Sequence, residues 1–264
     1  MLRATGVLNL AEIIDLAKAR YPDLGHRRVV IAGGTGDVDE GIIRAWVKSG
    51  AHVVVPSRTD RKIDELRGIL SDLEGPGRVD FVSGDSASFE DAEEMAKLVI
   101  SEFGPVTDIV ASIGGWWQKN PLWEISDEDW QSFFVSVSSA HVATVRAWVP
   151  HLPQSGTYQL ILGGSAQMPV PGASIINMQQ AALLMMRKVL TAELGDRLRV
   201  TSQVLGPVVT RAREHVDPNW VANGEVGLVS AAIAAGPAVT GVDFVSYEKS
   251  QMLETLVALK VYPG

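Results

Sequence analysis

Residues 29–41 read Val29-Val30-Ile31-Ala32-Gly33-Gly34-Thr35-Gly36-Asp37-Val38-Asp39-Glu40-Gly41, and they decide the fold. A β-branched run leads into a glycine-rich turn, and the turn opens into a segment with helical spacing at residues 41–48. Strand, glycine turn and helix in this order place a phosphate group at a helix N-terminus, where free backbone amides and the helix dipole attract an anion. The stretch therefore predicts an α/β fold with a phosphate-binding turn.

The same turn is acidic. In a G-x-x-G-x-x-G pattern, Gly33 and Gly36 fill the first two glycine positions, but Asp39 occupies the third. Asp37 and Glu40 add further negative charge. Carboxylates stabilise a helix N-terminus by about 0.3–1 kcal/mol each. Two interpretations stay open: the acids replace the phosphate as partner of the helix dipole, or the turn binds a phosphate in their presence.

Composition excludes several classes of function. The chain has 264 residues, of which 46% are hydrophobic and 20% charged, enough for one large domain with a full core. Its net charge of −8, without a basic run, disfavours a nucleic-acid or anionic membrane partner. The absence of cysteine excludes disulfides, thiolate metal sites and a cysteine nucleophile. We find no metal-ligand spacing, no signal peptide and no membrane span, so we expect a soluble cytoplasmic protein without a metal.

Strand-like runs alternate with helical patterns along the rest of the chain. The strand-like runs lie at residues 28–32, 52–56, 78–83, 108–113, 157–162, 199–205 and 238–245. Helical spacing occurs at residues 60–70, 89–103, 127–152 and 173–194. This alternation predicts a parallel sheet with helices on both faces. We expect a single domain over residues 27–264, preceded by an N-terminal helical extension at residues 1–26, in which Asn9 caps a short helix and Glu12 completes its capping box.

A series of landmarks follows the glycine turn at compatible spacing. They are Val54-Val55-Pro56-Ser57-Arg58, Val82-Ser83-Gly84-Asp85-Ser86, the run into the fourth strand at residues 103–114, Asp127-Glu128-Asp129-Trp130 and Leu205-Gly206-Pro207-Val208-Val209-Thr210. With these landmarks, the chain resembles the short-chain dehydrogenase/reductase superfamily from about residue 27 to residue 245. The resemblance implies a Rossmann-like, doubly wound, three-layer α/β/α domain that binds NAD(P) and acts as an oxidoreductase on a small-molecule substrate.

The resemblance also implies a set of cofactor-binding residues. Glycines in the turn let the backbone approach a pyrophosphate, Asp85 would contact adenine, and Thr210 would hold the nicotinamide carboxamide. The full set is Gly33, Thr35, Gly36, Val38, Ser57, Arg58, Asp85, Ser86, Ser112, Ile113, Gly114, Gly206, Pro207, Val208 and Thr210.

Arg58 bears on the choice of dinucleotide. The family normally carries an acid at the end of the second strand, which grips the adenosine ribose hydroxyls. Arginine instead suits a 2′-phosphate, through its charge and its planar fork of donors. We therefore expect NADP rather than NAD; the alternative is a solvated surface arginine at a helix start.

The catalytic groups of the family are missing at the same register. The family's reductases use a Tyr-x-x-x-Lys pair, in which the tyrosine exchanges a proton with the substrate oxygen and the lysine lowers its pKa, together with a serine and an asparagine. Here the tyrosine position falls on Ile176, the lysine position on Gln180, the serine position on Gly163 or Gly164 with Ser165 one residue away, and the asparagine position on Val137. The four tyrosines of the chain, Tyr21, Tyr158, Tyr247 and Tyr262, have no lysine four residues later.

The catalytic residues are therefore unknown at this point, and two functions stay open. The first is an NADP-dependent oxidoreductase in which another group, or water, handles the proton, since hydride transfer is the chemistry of the cofactor. The second is a non-catalytic nucleotide sensor or interaction scaffold on the same fold.

Other polar and aromatic residues are weaker candidates. Trp116 and Trp117 follow the fourth strand, where they would either wall a substrate pocket or pack on the edge of the domain. We expect His141 and His151 to be polar residues at a helix surface, and Lys119 to be a solvated charge. Family members associate through their two long helices, which implies a homodimer or homotetramer here.

Overall fold

The computed structural model describes residues 14–237 and 239–263. Within this part of the chain the strands are β1 (Arg28–Ala32), β2 (His52–Ser57), β3 (Arg78–Ser83), β4 (Asp108–Ala111), β5 (Thr157–Gly163), β6 (Arg199–Leu205), β7 (Val208–Val209), β8 (Val221–Ala222) and β9 (Asp243–Ser246). The α-helices are α1 (Asp39–Lys48), α2 (Asp60–Ile69), α3 (Phe89–Phe103), α4 (Asp127–Trp130), α5 (Ser136–Trp148), α6 (Ser174–Leu194), α7 (Asn223–Ala235) and α8 (Lys249–Ala258).

Seven of these strands form one parallel sheet in the order β3-β2-β1-β4-β5-β6-β9. The short β7 and β8 pair with each other outside it. Chain order reverses direction between β1 and β4, so a crevice opens at the carboxyl ends of these two strands. The predicted doubly wound α/β domain is confirmed.

Apolar cores lie on both faces of the sheet, which explains why its strands are continuous hydrophobic runs in the sequence. Val29 and Ile31 of β1 face the core shared with α1, α7 and α8, whereas Val30 faces the core shared with α3, α5 and α6. A strand buried on both faces needs apolar side chains at every position, which is why β-branched runs predicted the parallel sheet.

The predicted bounds of β1, β3, β6 and α3 match the structure. Other bounds were wrong. The β4 strand ends at Ala111 rather than residue 113, and β9 covers Asp243–Ser246 rather than residues 238–245. Gly241 takes a φ of +75° just before β9, a left-handed conformation that does not continue a strand. The helix predicted at residues 127–152 is interrupted by a π-helical segment, Gln131–Val135, and ends at Trp148.

Close packing of α1 on α7 holds the glycine turn in place. A Cβ on Gly41 would lie 2.1 Å from the carbonyl oxygen of Asn223, and a Cβ on Gly227 would lie 2.1 Å from that of Gly41. Trp46 of α1 also donates a hydrogen bond from Nε1 to Ser230 Oγ of α7, at 2.9 Å. Only glycine permits this backbone contact, which fixes the start of α1 against the start of α7.

Residues 14–26 pack on the edge of the domain. The amide of Arg20 donates to the carbonyl of Val261 at 2.8 Å, and that of Leu24 donates to the carbonyl of Ser49 at 2.6 Å. The predicted helix capped by Asn9, with Glu12, lies outside the described residues, and the domain boundary at residue 27 stays a prediction. No helix in the described ranges combines the length and apolar character needed to cross a membrane.

Candidate functional site at the carboxyl edge of the sheet

The residues predicted to bind a cofactor lie in five segments at or after the carboxyl ends of the strands. They are Gly33, Thr35, Gly36 and Val38 after β1, Ser57 and Arg58 at the end of β2, Asp85 and Ser86 after β3, Ser112, Ile113 and Gly114 after β4, and Gly206, Pro207, Val208 and Thr210 after β6. Because β3, β2, β1 and β4 are neighbours in the sheet, four of the segments share one continuous edge.

The turn after β1 is built on glycine. Gly33 has a φ of +86°, and a Cβ there would lie 2.3 Å from the carbonyl oxygen of Ser112. The amide of Gly36 donates to the carbonyl of Gly33 at 3.1 Å, and the amide of Asp39 donates to that of Gly36 at 3.2 Å. The turn is therefore compact and lies directly against the segment after β4.

Asp39 is the first residue of α1 and is buried, with 1% of its surface exposed. A Cβ on Gly36 would lie 2.8 Å from its Oδ2, so the carboxyl group lies inside the turn. Burial raises the pKa of Asp39 well above its ordinary range, and hydrogen bonding to Ser112 and to the amides of Gly36 and Asp39 opposes that rise only in part. The Oδ1 atom has no hydrogen-bond partner among the described residues. An acidic group thus occupies the position of the third glycine, beside the amides that would receive a phosphate.

The other two acids of the turn have a cationic partner, which sequence reasoning missed. Arg211 Nε lies 3.4 Å from Glu40 Oε2, and Arg211 Nη2 lies 3.8 Å from Asp37 Oδ1. Asn223 also donates from Nδ2 to the carbonyl of Asp37 at 3.2 Å. These contacts bring the segment after β7 over the turn. The one available signal was the position of Arg211 directly after Thr210.

At the end of β2, Ser57 is buried and Arg58 is exposed. Within the described residues, the Arg58 guanidinium makes no hydrogen bond or ion pair, whereas Ser57 Oγ donates to the carbonyl of Thr59 at 3.3 Å. After β3, Asp85 Oδ1 accepts from the amides of Ser86 and Ala87 at 2.7 and 3.0 Å and so shapes its own loop. The edge therefore presents a free guanidinium one strand away from the glycine turn.

The buried side chain of His141 contacts the segment after β4. The prediction that His141 lies at a helix surface was wrong, because its side chain is fully buried and its Nε2 lies 2.9 Å from the carbonyl oxygen of Ile113. Burial lowers the pKa of His141 to about 4, so the ring is neutral and donates to this carbonyl. His141 therefore positions the loop that passes the glycine turn, while His151 is exposed as expected.

A neutral buried His141 makes stability depend on pH. Protonation is less favourable in the folded chain than in the unfolded chain, so stability is complete above the ordinary histidine pKa and falls as the pH drops toward about 4. We expect this group to cost about 2 kcal/mol between about pH 7.5 and about pH 5. Urea unfolding of wild type and His141→Gln at both pH values measures it. An equal loss of stability in both proteins would contradict the assignment, since glutamine keeps a donor but does not titrate.

The segment after β6 lies three strands away from β1. Gly206 donates its amide to the carbonyl of Ser246 at 3.0 Å, and a Cβ on it would lie 2.1 Å from the carbonyl oxygen of Tyr247. Val208 pairs with Val221 in the small β7–β8 ladder. The Arg211 ion pairs and the packing of Val208 in the core shared with β1 and α1 join this segment to the turn after β1.

Ile176, at the predicted tyrosine position, lies in an apolar cluster. It is 3% exposed and packs with Trp117 and Ile175. Further aromatic and aliphatic side chains cover this cluster: Ile125, Trp130, Phe133 and Phe134. The tryptophan pair is therefore divided, since Trp117 is buried whereas Trp116 is 57% exposed. Apolar packing fills the space around the first turn of α6.

Amide side chains fasten the start of α6 to the end of β5. Gln180, at the predicted lysine position, accepts from the amide of Gly163 at 2.8 Å. Asn177 donates from Nδ2 to the carbonyls of Ser165 and Met168 at 2.8 and 2.7 Å. Ser165 is buried, and its Oγ has no partner among the described residues. Carboxamides and a hydroxyl can orient a ligand through hydrogen bonds, but they do not act as general acids at neutral pH.

The remaining candidates have structural roles. Lys119 is exposed, as expected for a solvated charge, and its Nζ pairs with Asp129 Oδ1 at 2.9 Å. Tyr158 is fully buried in β5, and burial raises the pKa of its hydroxyl, so it does not exchange protons with a ligand. In the described ranges, no group of three or more His, Asp or Glu side chains is arranged to hold a metal ion.

Known proteins share both the sequence pattern and the architecture. A family model described as enoyl-(acyl carrier protein) reductase matches residues 39–225. The curated protein 11-beta-hydroxysteroid dehydrogenase-like 3 of Arabidopsis thaliana is 24% identical over 202 residues, which cover 72% of this chain and 62% of that protein. The chain thus spans less than two thirds of the length of that relative.

Solved structures show the same fold. A dehydrogenase/reductase from Sinorhizobium meliloti 1021 has a TM-score of 0.75 at 21% identity, covering 84% of this chain and 94% of that one. An alcohol dehydrogenase from the archaeon Thermococcus sibiricus, complexed with 5-hydroxy-NADP, has a TM-score of 0.74 at 20% identity, covering 84% and 98% of the two chains. At these identities the likeness concerns the fold alone.

Proposed function

Because this chain belongs to the short-chain dehydrogenase/reductase superfamily, we propose that it is an NADP-dependent oxidoreductase that works without the proton relay of the family's reductases. The observation that carries the proposal is the free Arg58 guanidinium at the carboxyl end of β2, beside the glycine turn. An arginine at that place suits an NADP 2′-phosphate through its charge and its planar fork of donors.

The turn after β1 fits a pyrophosphate in its backbone. Glycine at position 33 lets the turn take a positive φ and pack against the backbone of Ser112, which holds the turn at the start of α1. Ser112, Ile113 and Gly114 would lie beside the ribose, and Thr210 would hold the nicotinamide carboxamide. Asp39 opposes binding when it is ionised, and its raised pKa lessens that opposition by favouring the neutral form.

The residues at the start of α6 position a substrate rather than protonate it. NADPH supplies a hydride when bound. Ile176 has no proton to give, and the Gln180 carboxamide is already bonded to the amide of Gly163. The buried cluster around Trp117 excludes water from this side of the site. We propose that the proton comes from solvent on the open side, near the exposed Trp116, and that the substrate is a small molecule with an apolar portion.

Single-turnover oxidation tests this activity. The purified protein is loaded with NADPH and mixed with a panel of aldehydes and ketones, while loss of nicotinamide fluorescence is followed. We expect at least one compound to oxidise the bound NADPH slowly. The double variant Ile176→Tyr with Gln180→Lys should reduce ketones equally slowly, because a glycine still occupies the serine position. The matched control is Gln180→Lys alone.

The results of this experiment distinguish an oxidoreductase from a non-catalytic nucleotide sensor. Rapid ketone reduction by the double variant would show that Ser165 already fills the serine role. Tight NADPH binding without oxidation by any compound would contradict the oxidoreductase proposal and would favour a nucleotide sensor.

We also propose that the protein is cytoplasmic and forms a homodimer or homotetramer. The outer faces of α5 and α6 carry exposed apolar side chains, which two copies of the chain would cover together. These are Val142, Met178, Met185 and Val189.

A further inference from the structure

A polar cavity lies at the opposite, amino-terminal edge of the sheet. It has a volume of about 340 Å³ and is lined by residues at the starts of β1, β2 and β3 and just before β4. Among the side chains that line it are Arg28, His52 and Arg78. A strand of six residues spans roughly 20 Å, so this cavity is well separated from the dinucleotide edge.

Two guanidinium groups converge on one imidazole nitrogen in this cavity. Arg28 Nε donates to His52 Nδ1 at 3.0 Å, and Arg78 Nη2 lies 3.3 Å from the same nitrogen. On the other side of the ring, His52 Nε2 lies 2.7 Å from Asp80 Oδ2. This geometry makes Nδ1 the acceptor and places the proton on Nε2, so the ring is neutral.

The positive charge of this cluster is incompletely balanced. Asp80 pairs with His52 and lies 3.5 Å from Arg78 Nε, whereas Arg28 forms no ion pair among the described residues. Arg27, which also lines the cavity, is committed to Asp108 at 3.5 Å. Burial and the nearby Arg78 lower the pKa of Arg28, as expected where two guanidinium groups are held close together. A further anion would relieve this repulsion.

We propose that the cavity at the amino-terminal edge binds a tetrahedral oxyanion, inorganic phosphate or the phosphate group of a small metabolite, between Arg28 and Arg78. Arg28 keeps Nη2 for such a group, since its Nε donates to His52 and its Nη1 to the carbonyl of Pro105, and hydrogen bonds from a guanidinium to a phosphate are strengthened by charge. Arg78 is 66% exposed at its side chain, so it is free to turn toward a ligand, while Arg28 is held in place by His52 and by the carbonyl of Pro105 at 2.7 Å. The site is separate from the proposed dinucleotide site.

Calorimetric titration with inorganic phosphate, against chloride at matched ionic strength, tests this site. We expect saturable phosphate binding that Arg78→Gln weakens about tenfold or more. The matched control is Arg61→Gln, an exposed arginine of α2 that pairs with Glu65 and should leave phosphate binding unchanged. Glycerol phosphate in a parallel titration distinguishes the sources: tighter binding than inorganic phosphate indicates a phosphorylated metabolite, and weaker binding indicates the free ion.

A second readout needs no variant. Phosphate should shift the imidazole NMR signals of His52 in wild type along a saturable curve and leave those of His151 unchanged. Equal responses to phosphate and chloride, unaltered phosphate binding by Arg78→Gln, or unmoved His52 signals would each overturn the proposal.

Discussion

Asp39→Gly should tighten NADPH binding about tenfold, which corresponds to about 1.4 kcal/mol. The Asp39 carboxyl lies inside the turn after β1, with Oδ2 at 2.8 Å from the space that a Cβ on Gly36 would fill. Ionised Asp39 would repel a pyrophosphate in this turn by a few kcal/mol, and the raised pKa of the carboxyl group reduces that cost by favouring the neutral form. Removing the carboxyl frees the backbone amides at the start of α1. The measurement is equilibrium titration of both proteins with NADPH.

Asp37→Gly is the matched control for this variant. Asp37 lies two residues away on the same turn, but it is exposed and shares Arg211 with Glu40. We expect a much smaller gain in NADPH affinity from this change, because solvent and Arg211 already screen its charge. Unchanged or weaker NADPH binding by Asp39→Gly would contradict the placement of the pyrophosphate in this turn.

Arg58→Ala should weaken NADPH binding about thirtyfold, or about 2 kcal/mol, and leave NADH binding unchanged. Arg58 has no partner among the described residues, so its guanidinium loses no existing ion pair when it contacts a 2′-phosphate. The two dinucleotides differ only in that phosphate, and the ratio of their dissociation constants isolates the contribution of the arginine.

Arg61→Ala controls for the general loss of a positive charge near this edge. Arg61 is exposed on α2 and forms an ion pair with Glu65 at 2.6 Å. We expect both dinucleotides to bind this variant as they bind wild type. If Arg58→Ala weakened NADPH and NADH equally, or neither of them, Arg58 would be a surface arginine and NADP preference would lose its basis.

The parts of the fold that the sequence predicted are those with local signals. The α3 helix begins after Ser88, whose Oγ accepts from the amide of Asp91 at 3.1 Å, and ends at Gly104 with a φ of +89°. Helix caps of this kind depend on residues next to the helix ends, so a short stretch of sequence predicts them. The buried strands are likewise marked by β-branched runs. The π-helical segment between α4 and α5 was missed because such segments are rare and have no local sequence signal comparable to a helix cap.

The parts of the site that were missed depend on distant contacts. His141 reads as a surface residue until the fold places it 2.9 Å from the carbonyl of Ile113, 28 positions earlier. Arg211 forms an ion pair with Glu40, which lies 171 positions earlier in the sequence. Sequence predicted the glycine turn, because a strand end and a turn carry local signals, but it did not predict which cation balances the acids of the turn. The role of Arg58 stays a prediction.

Titration of the wild-type protein with NADPH and NADH, by calorimetry and nicotinamide fluorescence, tests the central claim most directly. We predict that NADPH binds with a dissociation constant on the order of micromolar and at least about tenfold more tightly than NADH. Binding of neither dinucleotide would contradict the account, since it would mean that Asp39 has replaced the phosphate as the permanent partner of α1.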